Sequence, residues 1–309
     1  MPGERIFVTA IRHYCARHDI AVDVRADGWL VIMRRGAQRR FAFGYDLGLN
    51  SAIAHRLAND KSATAEVLAL AGVPAIPHHL FLNPKLGTHV ARSGWRDAML
   101  RLLEENPQGL VVKPNEGTAG RSVIRATNRQ ELEHAIEEVF ASSLALVIAP
   151  YVEIAEEVRV VLLDQAPMVV YRKTRPSIIG DGRHTLRELA AADAPQVRLD
   201  GLDQRELDAI VPEGERRDLT WRHNLDAGAM PVLIAQGDVR EACVKMAVDA
   251  VRAIGIDFAS IDLIRVDDAW QVLEINSGVM MEVLGKEHPE LVHATYGAAL
   301  DRLFNKPGS

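Results

Sequence analysis

Three oxygen-bearing side chains, Asp262, Glu274 and Asn276, fall within residues 260–276 (SIDLIRVDDAWQVLEIN), which read as two short apolar strands joined by an acidic turn. Glu274 and Asn276 are two apart, so a strand projects them from one face. Whether Asp262 joins them depends on register. A two-residue loop at Asp267-Asp268 sets Asp262 against Leu273, on the wrong face. A three-residue loop through Ala269, or a bulge, sets it against Glu274. The three side chains are then an all-oxygen set of the kind that binds Mg²⁺ and leaves it water or phosphate ligands. This reading places Ile264, Val266, Trp270 and Val272 on the same side of the sheet, and a two-residue turn without a bulge contradicts it. The rival reading is an acidic edge hairpin with solvated carboxylates.

A second candidate is Lys113 in VVKPNEGTAGRSV. A lysine closing an apolar strand needs an anionic partner, and phosphate is a natural one. Gly117 and Gly120 let backbone N–H groups approach phosphate oxygens, with Thr118 and Arg121 between and beside them. Neither GxxxxGK[ST] nor GxGxxG occurs, and the rival reading is an ordinary turn with a snorkelling lysine. The run Arg172, Lys173, Arg175 reads as an anionic site or a solvated edge strand. His223 and Asn224 either line a cleft or make structural hydrogen bonds. His78 and His79, adjacent on an extended segment, point apart and read as a solvated pair. Cys15 and Cys243 read as small buried hydrophobes, and no serine lies in a nucleophile-elbow context.

The elements that must position these groups follow from periodicity. Helical spacing covers residues 5–17, 51–57, 61–70, 95–105, 130–140, 185–192, 239–254 and 288–304. Strand patterns cover 20–25, 29–34, 39–43, 76–82, 109–113, 123–126, 144–149, 157–164 and 168–173. Most of 179–229 is charged and gives no clear pattern. Frequent hairpins among alternating strands and helices predict an α+β, or mixed α/β, fold rather than one doubly wound sheet. The length of 309 residues suits one large domain or two to three small ones. A net charge of −6 argues against a general nucleic-acid binder. Two distant cysteines fit a reducing, cytoplasmic setting. No apolar run approaches the ~18–20 residues of a membrane span.

Taken in order, Asp60-Lys61, VVKPNEGTAGRSV, Glu157 with Arg159, and the terminal D…E-x-N resemble the ATP-grasp superfamily. The resemblance is strongest to the carboxylate–amine ligase domain of cyanophycin synthetase, bifunctional glutathione synthetase and the ribosomal-protein glutamate ligases. NDKSATAEVLALAGVPAIP, YRKTRPSIIGDGRHTLREL and WRHNLDAGAMPV are similar to further segments of that group, and the match covers residues 52–304.

The resemblance implies an ATP-grasp fold, with two α+β subdomains clasping ATP. A small N-terminal α/β unit (1–51) would precede the ATP-grasp domain (52–305), whose small subdomain spans about 74–150. It implies an ATP-dependent ligase that activates a carboxylate as an acylphosphate and joins it to an amine. The alternatives are a ligase that modifies proteins and a non-catalytic ATP-binding module. Lys61 and Lys113 would contact the ATP phosphates under the loop Gly117, Thr118, Gly120, Arg121 and Ser122. Glu157 would bind the ribose. Arg159 and Arg172 would lie towards the transferred phosphate or the substrate carboxylate, and with Lys113 they are the catalytic candidates. Asp262, Glu274 and Asn276 would hold two Mg²⁺, with Mn²⁺ as the alternative. The expected partners are a small carboxylate and an amine such as an amino acid or peptide, with a homodimer as the assembly. Three departures stand out. Ala149 replaces the usual glutamate before the hinge, so adenine recognition falls to backbone near Ile148, Tyr151 and Val152. Ser122 replaces a glycine, and Ser-Gly-Val-Met-Met follows Asn276 where Pro-Gly is common.

Overall fold

The computed structural model describes residues 4–89, 95–117, 122–195, 197, 199 and 202–305. At the N-terminus α1 (Ile6–Arg17) turns Phe7, Ala10, Ile11, Tyr14 and Cys15 inward, against the antiparallel sheet of β1 (Ala21–Arg25), β2 (Leu30–Arg35) and β3 (Gln38–Phe43). This unit does not own its core. Phe7, Ile11 and Met33 share one cluster with Val161, Val169, Tyr171 and Phe258 far along the chain.

Two helices follow, α2 (Ala52–Asn59) and α3 (Lys61–Leu70), N-capped by Ser51 and Asp60. The next unit contains β4 (His79–Leu82), α4 (Trp95–Glu105), β5 (Leu110–Pro114), β6 (Ile124–Ala126), α5 (Arg129–Ser142) and β7 (Ala145–Pro150). Its strands lie in the order β4-β7-β5-β6. Alternation sends Leu110, Val112, Leu146 and Ile148 onto α4 and α5, where Met99, Leu132 and Val139 meet them. Val111, Lys113, Val147 and Ala149, paired across β5 and β7, are left for the opposite face.

The central sheet has the order β12-β9-β8-β13-β14, antiparallel throughout. Its strands are β8 (Glu156–Leu163), β9 (Ala166–Thr174), β12 (Met230–Leu233), β13 (Phe258–Val266) and β14 (Ala269–Asn276). Between β9 and β12 an insert folds on its own small core of Ile178, Leu186, Leu189, Leu207 and Leu219. The insert comprises β10 (Ser177–Ile179), α6 (Leu186–Asp193), α7 (Gln204–Asp208) and β11 (Arg216–Asp218), with capping boxes at Thr185/Glu188 and Asp203/Glu206. Of these elements the sequence patterns predicted only α6.

Both hairpins of the central sheet turn through two left-handed residues: Asp164-Gln165 (φ 47° and 68°) and Asp267-Asp268 (φ 46° and 62°). Such turns match the twist of the flanking strands. Each hairpin then carries one bulge. In β14, Val272 pairs with Leu263 and Glu274 with Asp262, so Leu273 is the extra residue. In β9, Pro167 pairs with Leu162 and Val169 with Val161, so Met168 is extra. The turn is thus two residues long, and the bulge supplies the register that sets Asp262 against Glu274. It also corrects one expectation. Val272 and Trp270 pair with Leu263 and Arg265, so they lie on the opposite face from Asp262, and Gln271 pairs with Ile264 instead.

The two faces of this sheet have different fates. One packs Val158, Val160, Leu162, Val170, Ile261, Leu263 and Val272 against Cys243, Ala247 and Val251 of α8 (Asp238–Ile254). At one end of the other face, Val161, Leu163, Val169, Tyr171 and Phe258 lie beneath the N-terminal unit. α10 (Pro289–Asn305), which follows the short α9 (Leu284–Glu287), covers the same end through Tyr296 and Leu300. The remaining end carries charge and faces the small sheet.

Candidate active site

Lys61 and Lys113 are brought together by Asn115. Its side-chain amide donates to Asp60 Oδ2 at 2.7 Å, its Oδ1 accepts from the Ser62 N–H at 3.1 Å, and its carbonyl accepts from the Lys61 N–H. This ties the N-terminus of α3 to the end of β5, so the two lysines cannot move independently. Lys61 Nζ also donates to the Gly117 carbonyl at 3.0 Å, holding the start of the glycine loop. Burial lowers the pKa of both lysines, that of Lys113 to about 8, and the Glu274 carboxylate partly offsets this. Two ammonium groups with so little compensation form a site waiting for an anion.

Across from them lies a buried quartet of charges. The Arg159 guanidinium donates to both oxygens of Asp262 at 2.6 Å. Lys173 Nζ lies 2.5 Å from Glu157 Oε1 and 2.9 Å from Asp262 Oδ2. Two cations and two anions balance, as buried charges must. Burial pushes the Asp262 carboxyl up, but Arg159 and Lys173 outweigh it and hold the group well below the usual carboxylate range. Burial raises Glu157, with Asp262 adding to it and Lys173 opposing.

Glu274 and Asn276 stand at the sheet edge beside this quartet, and Asn276 Nδ2 donates to Glu274 Oε1 at 3.3 Å. Among the described residues no group of three or more His, Cys, Asp or Glu side chains gathers for a metal. The donor set here is instead two carboxylates and an amide. Its oxygen chemistry suits a hard cation. Glu274 fits best, since among the described residues its carboxylate accepts only that long contact from Asn276. Asp262 fits only by sharing oxygens that already accept from Arg159 and Lys173, which the spare lone pairs of a carboxylate allow.

Several sequence expectations shift. Arg172 does not face the cleft. It pairs with Val158 on the α8 side and donates to Glu156 at 2.8 Å. The Met168 bulge moves Lys173 into the position across from Glu157 that a regular ladder gives Arg172. His78 is buried, not solvated, and burial plus the two lysines lower its pKa to about 2, while His79 is exposed. Ile148 is buried inside the small sheet between His79 and Val112, and the Tyr151 N–H is already given to the Gly109 carbonyl. Of the three hinge positions, Val152 alone makes no backbone hydrogen bond of this kind among the described residues. Ser122 has a left-handed φ of 51°. Thr118, Gly120 and Arg121 lie outside the described residues.

Residues 220–224, from the insert, complete the cleft. The Trp221 ring meets Tyr151 edge-on at 5.7 Å, and Arg125 stacks on the other ring contact of Tyr151 at 3.5 Å. Arg222 donates to the Val123 carbonyl at 3.1 Å, beside the glycine loop. His223 Nδ1 lies 3.7 Å from Glu157 Oε2. Asn115, Trp221 and Arg222 are the residues that the sequence reading gave no role, while Lys173 entered it only as part of the run with Arg172 and Arg175. Asn115 was legible as a capping partner for Asp60 only once the two elements were known to touch.

Two sheets facing each other across a cleft, one bringing lysines and the other a carboxylate–amide edge, make up an ATP-grasp fold. Over residues 207–289 the chain matches the family described as the RimK-like ATP-grasp domain. It is 26% identical over 249 residues to cyanophycin synthetase of Trichormus variabilis, covering 74% of this chain and 26% of that one. It is 24% identical over 277 residues to a probable alpha-L-glutamate ligase of Enterobacter sp., covering 89% and 75%. The chain thus spans about a quarter of the length of the first relative. The crystal structure of a bifunctional glutathione synthetase from Pasteurella multocida shares the fold, with a TM-score of 0.55 at 17% identity over 93% of this chain and 44% of that one. A D-alanine–D-alanine ligase from Bacillus anthracis shares it at the same TM-score, over 82% and 69%. No helix among the described residues is long and apolar enough to cross a membrane.

Proposed function

We propose that the chain is an ATP-dependent carboxylate–amine ligase. The observation that carries this reading is the convergence of Lys61 and Lys113 with Glu157, Arg159, Lys173, Asp262, Glu274 and Asn276 on one cleft. In the reaction a substrate carboxylate oxygen attacks the γ-phosphorus of ATP, and ADP leaves. The amine nitrogen then attacks the acylphosphate carbon, phosphate leaves, and the nitrogen loses a proton as the amide forms. No protein nucleophile is required.

Each side chain has a task that follows from its place. Lys61 and Lys113 take the ATP phosphates, which supply the anion their burial calls for. Glu157 accepts from the ribose. Arg159, fixed by Asp262, offers positive charge where the carboxylate is phosphorylated, and Lys173 supports it in place of Arg172. Asp262, Glu274 and Asn276 would hold Mg²⁺, most simply two ions, whose charge offsets that of the phosphates. The segment 220–224 excludes water from the acylphosphate. The acceptors are a small carboxylate and an amine of the amino-acid or peptide class.

The test is ADP release with Mg²⁺-ATP across pairs of carboxylic acids and amines, with hydroxylamine added to trap an acylphosphate as hydroxamate. Release that depends on the acid, with hydroxamate forming in step, is expected. A protein that binds ATP yet yields neither ADP nor hydroxamate with any acid in a broad panel, polypeptides included, rules the ligase out.

A further inference from the structure

The ligase reading leaves the buried imidazole of His223 without a task. His223 is 7% exposed, and its Nδ1 has no hydrogen-bond partner. Such an atom is costly to leave unpaired in a protein interior, on the order of a lost hydrogen bond or more. Its ring is not placed by chance. Trp221 is held against Tyr151 and Arg222 against the Val123 carbonyl, so the backbone on its N-terminal side is pinned to the hinge and to the strand after the glycine loop. Glu157 Oε2 lies 3.7 Å from Nδ1, too far for a hydrogen bond. The other oxygen of that carboxylate is engaged by Lys173. An unpaired nitrogen and Oε2 of that carboxylate therefore lie 3.7 Å apart.

We propose that His223 and Glu157 together bind one ribose hydroxyl of the nucleotide: the imidazole Nδ1–H donates to the hydroxyl oxygen, and the hydroxyl donates to Glu157 Oε2. This rests on the ATP reading of the cleft. The geometry suits a hydroxyl, because an oxygen about 2.8 Å from each partner spans a 3.7 Å separation. The chemistry suits it too. A hydroxyl gives one proton and accepts another, which neither a phosphate oxygen nor a methylene can do. Burial, helped by Arg175 and Lys173, lowers its pKa to about 4 and keeps it neutral, with one N–H to offer. The pair then links the sugar to the insert, so the segment 220–224 closes on ribonucleotides in preference to deoxyribonucleotides.

The experiment is calorimetric titration of ADP, 2′-deoxy-ADP and 3′-deoxy-ADP into the wild-type chain and into His223→Ala, His223→Phe and His223→Asn. Wild type is expected to bind one deoxynucleotide about fivefold more weakly than ADP, the size of one net hydrogen bond. His223→Ala should bind ADP as weakly as that deoxynucleotide and no longer distinguish the two, a coupling only a shared hydroxyl produces. His223→Phe, which keeps ring volume without the donor, carries the same test if the alanine variant does not fold. His223→Asn, which keeps a donor near Nδ1, should recover part of the preference. Equal discrimination in wild type and His223→Phe overturns the assignment, as does a wild type indifferent to both missing hydroxyls. If ADP fails to bind wild type at all, the nucleotide reading falls and takes this assignment with it.

Discussion

Asp262 faces Glu274 across the β13–β14 ladder only because Leu273 is an extra residue between Glu274 and Val272. Glu274 and Val272 are two apart, yet one serves the cleft and the other the core beneath α8. Period-two alternation forbids that on a regular strand. The bulge permits it. The same device recurs one hairpin earlier, where Met168 shifts β9 so that Lys173 lies across from Glu157 and Arg172 points away. The central sheet thus owes its polar face to two one-residue irregularities, each a few residues from a two-residue turn.

This register separates two neighbouring cations by function. Lys173→Met should cost about 3–5 kcal/mol of stability, because it leaves Glu157 and Asp262 with one cation between them in the interior. Any ligase turnover should be lost with it. Arg172→Met removes a partly exposed pair with Glu156, so it should cost no more than about 1 kcal/mol and leave turnover within a few-fold. Chemical denaturation and ADP release on both variants check this. Equal effects from the two would mean that β9 has no bulge.

The bulges also mark where the sequence was legible and where it was not. Helices α1, α3, α5, α8 and α10 and nearly every strand followed from periodicity, and Asp60-Lys61, VVKPNEG and the D…E-x-N pattern pointed to the cleft. Asp262 could be placed because the hairpin offered only two registers and the family resemblance implied one of them. Arg172 against Lys173 could not, since the two cations are adjacent and nothing local says which face a bulge will favour. His78 looked solvated because part of its surroundings, Lys113 of β5 and residues 272–275 of β14, is remote in sequence. The segment 220–224 lay in a charged stretch whose fold depends on a small core assembled from scattered leucines.

Glu274 offers a direct test of the metal edge. Among the described residues its one hydrogen bond is the 3.3 Å contact from Asn276, so Glu274→Ala should leave stability within about 1 kcal/mol of wild type. Acid-dependent ADP release should fall by on the order of 10²–10³, the usual cost of removing one well-placed charged group. Near-wild-type ADP release from a folded Glu274→Ala would eliminate the metal role.

The insert can be loosened without touching the floor of the cleft. A Cβ on Gly180 would lie 2.1 Å from the Pro212 carbonyl oxygen and 2.6 Å from Val211 Cγ1, so Gly180→Ala forces the β10 and β11 ends apart. Overpacking of this kind costs about 1–3 kcal/mol. Amide hydrogen exchange should quicken through α6, α7 and β11. Protection of β5 and β7, whose core is separate, should hold. Uniform quickening across the chain would show that the insert does not unfold as its own unit.

Lys113 ties stability to pH with a definite sign. Its pKa falls from 10.5 to about 8 in the folded protein, with burial the main cause. Between those values the unfolded chain holds a proton that the folded chain has released, so the Lys113 contribution to stability grows as pH rises through about 8 to 10.5. Below about pH 8 both states are protonated and the buried charge is at its most costly. Lys113→Met should therefore stabilise the protein at pH 7 by on the order of 3 kcal/mol. That advantage should shrink steadily towards pH 10. Binding of ADP should move the other way, weakened at every pH by the loss of the ammonium. Paired denaturation curves for wild type and Lys113→Met from pH 6.5 to 10 measure the first effect, and calorimetry with ADP the second. A methionine variant no more stable than wild type at pH 7 would mean that the ammonium is solvated and the phosphate site is open rather than buried.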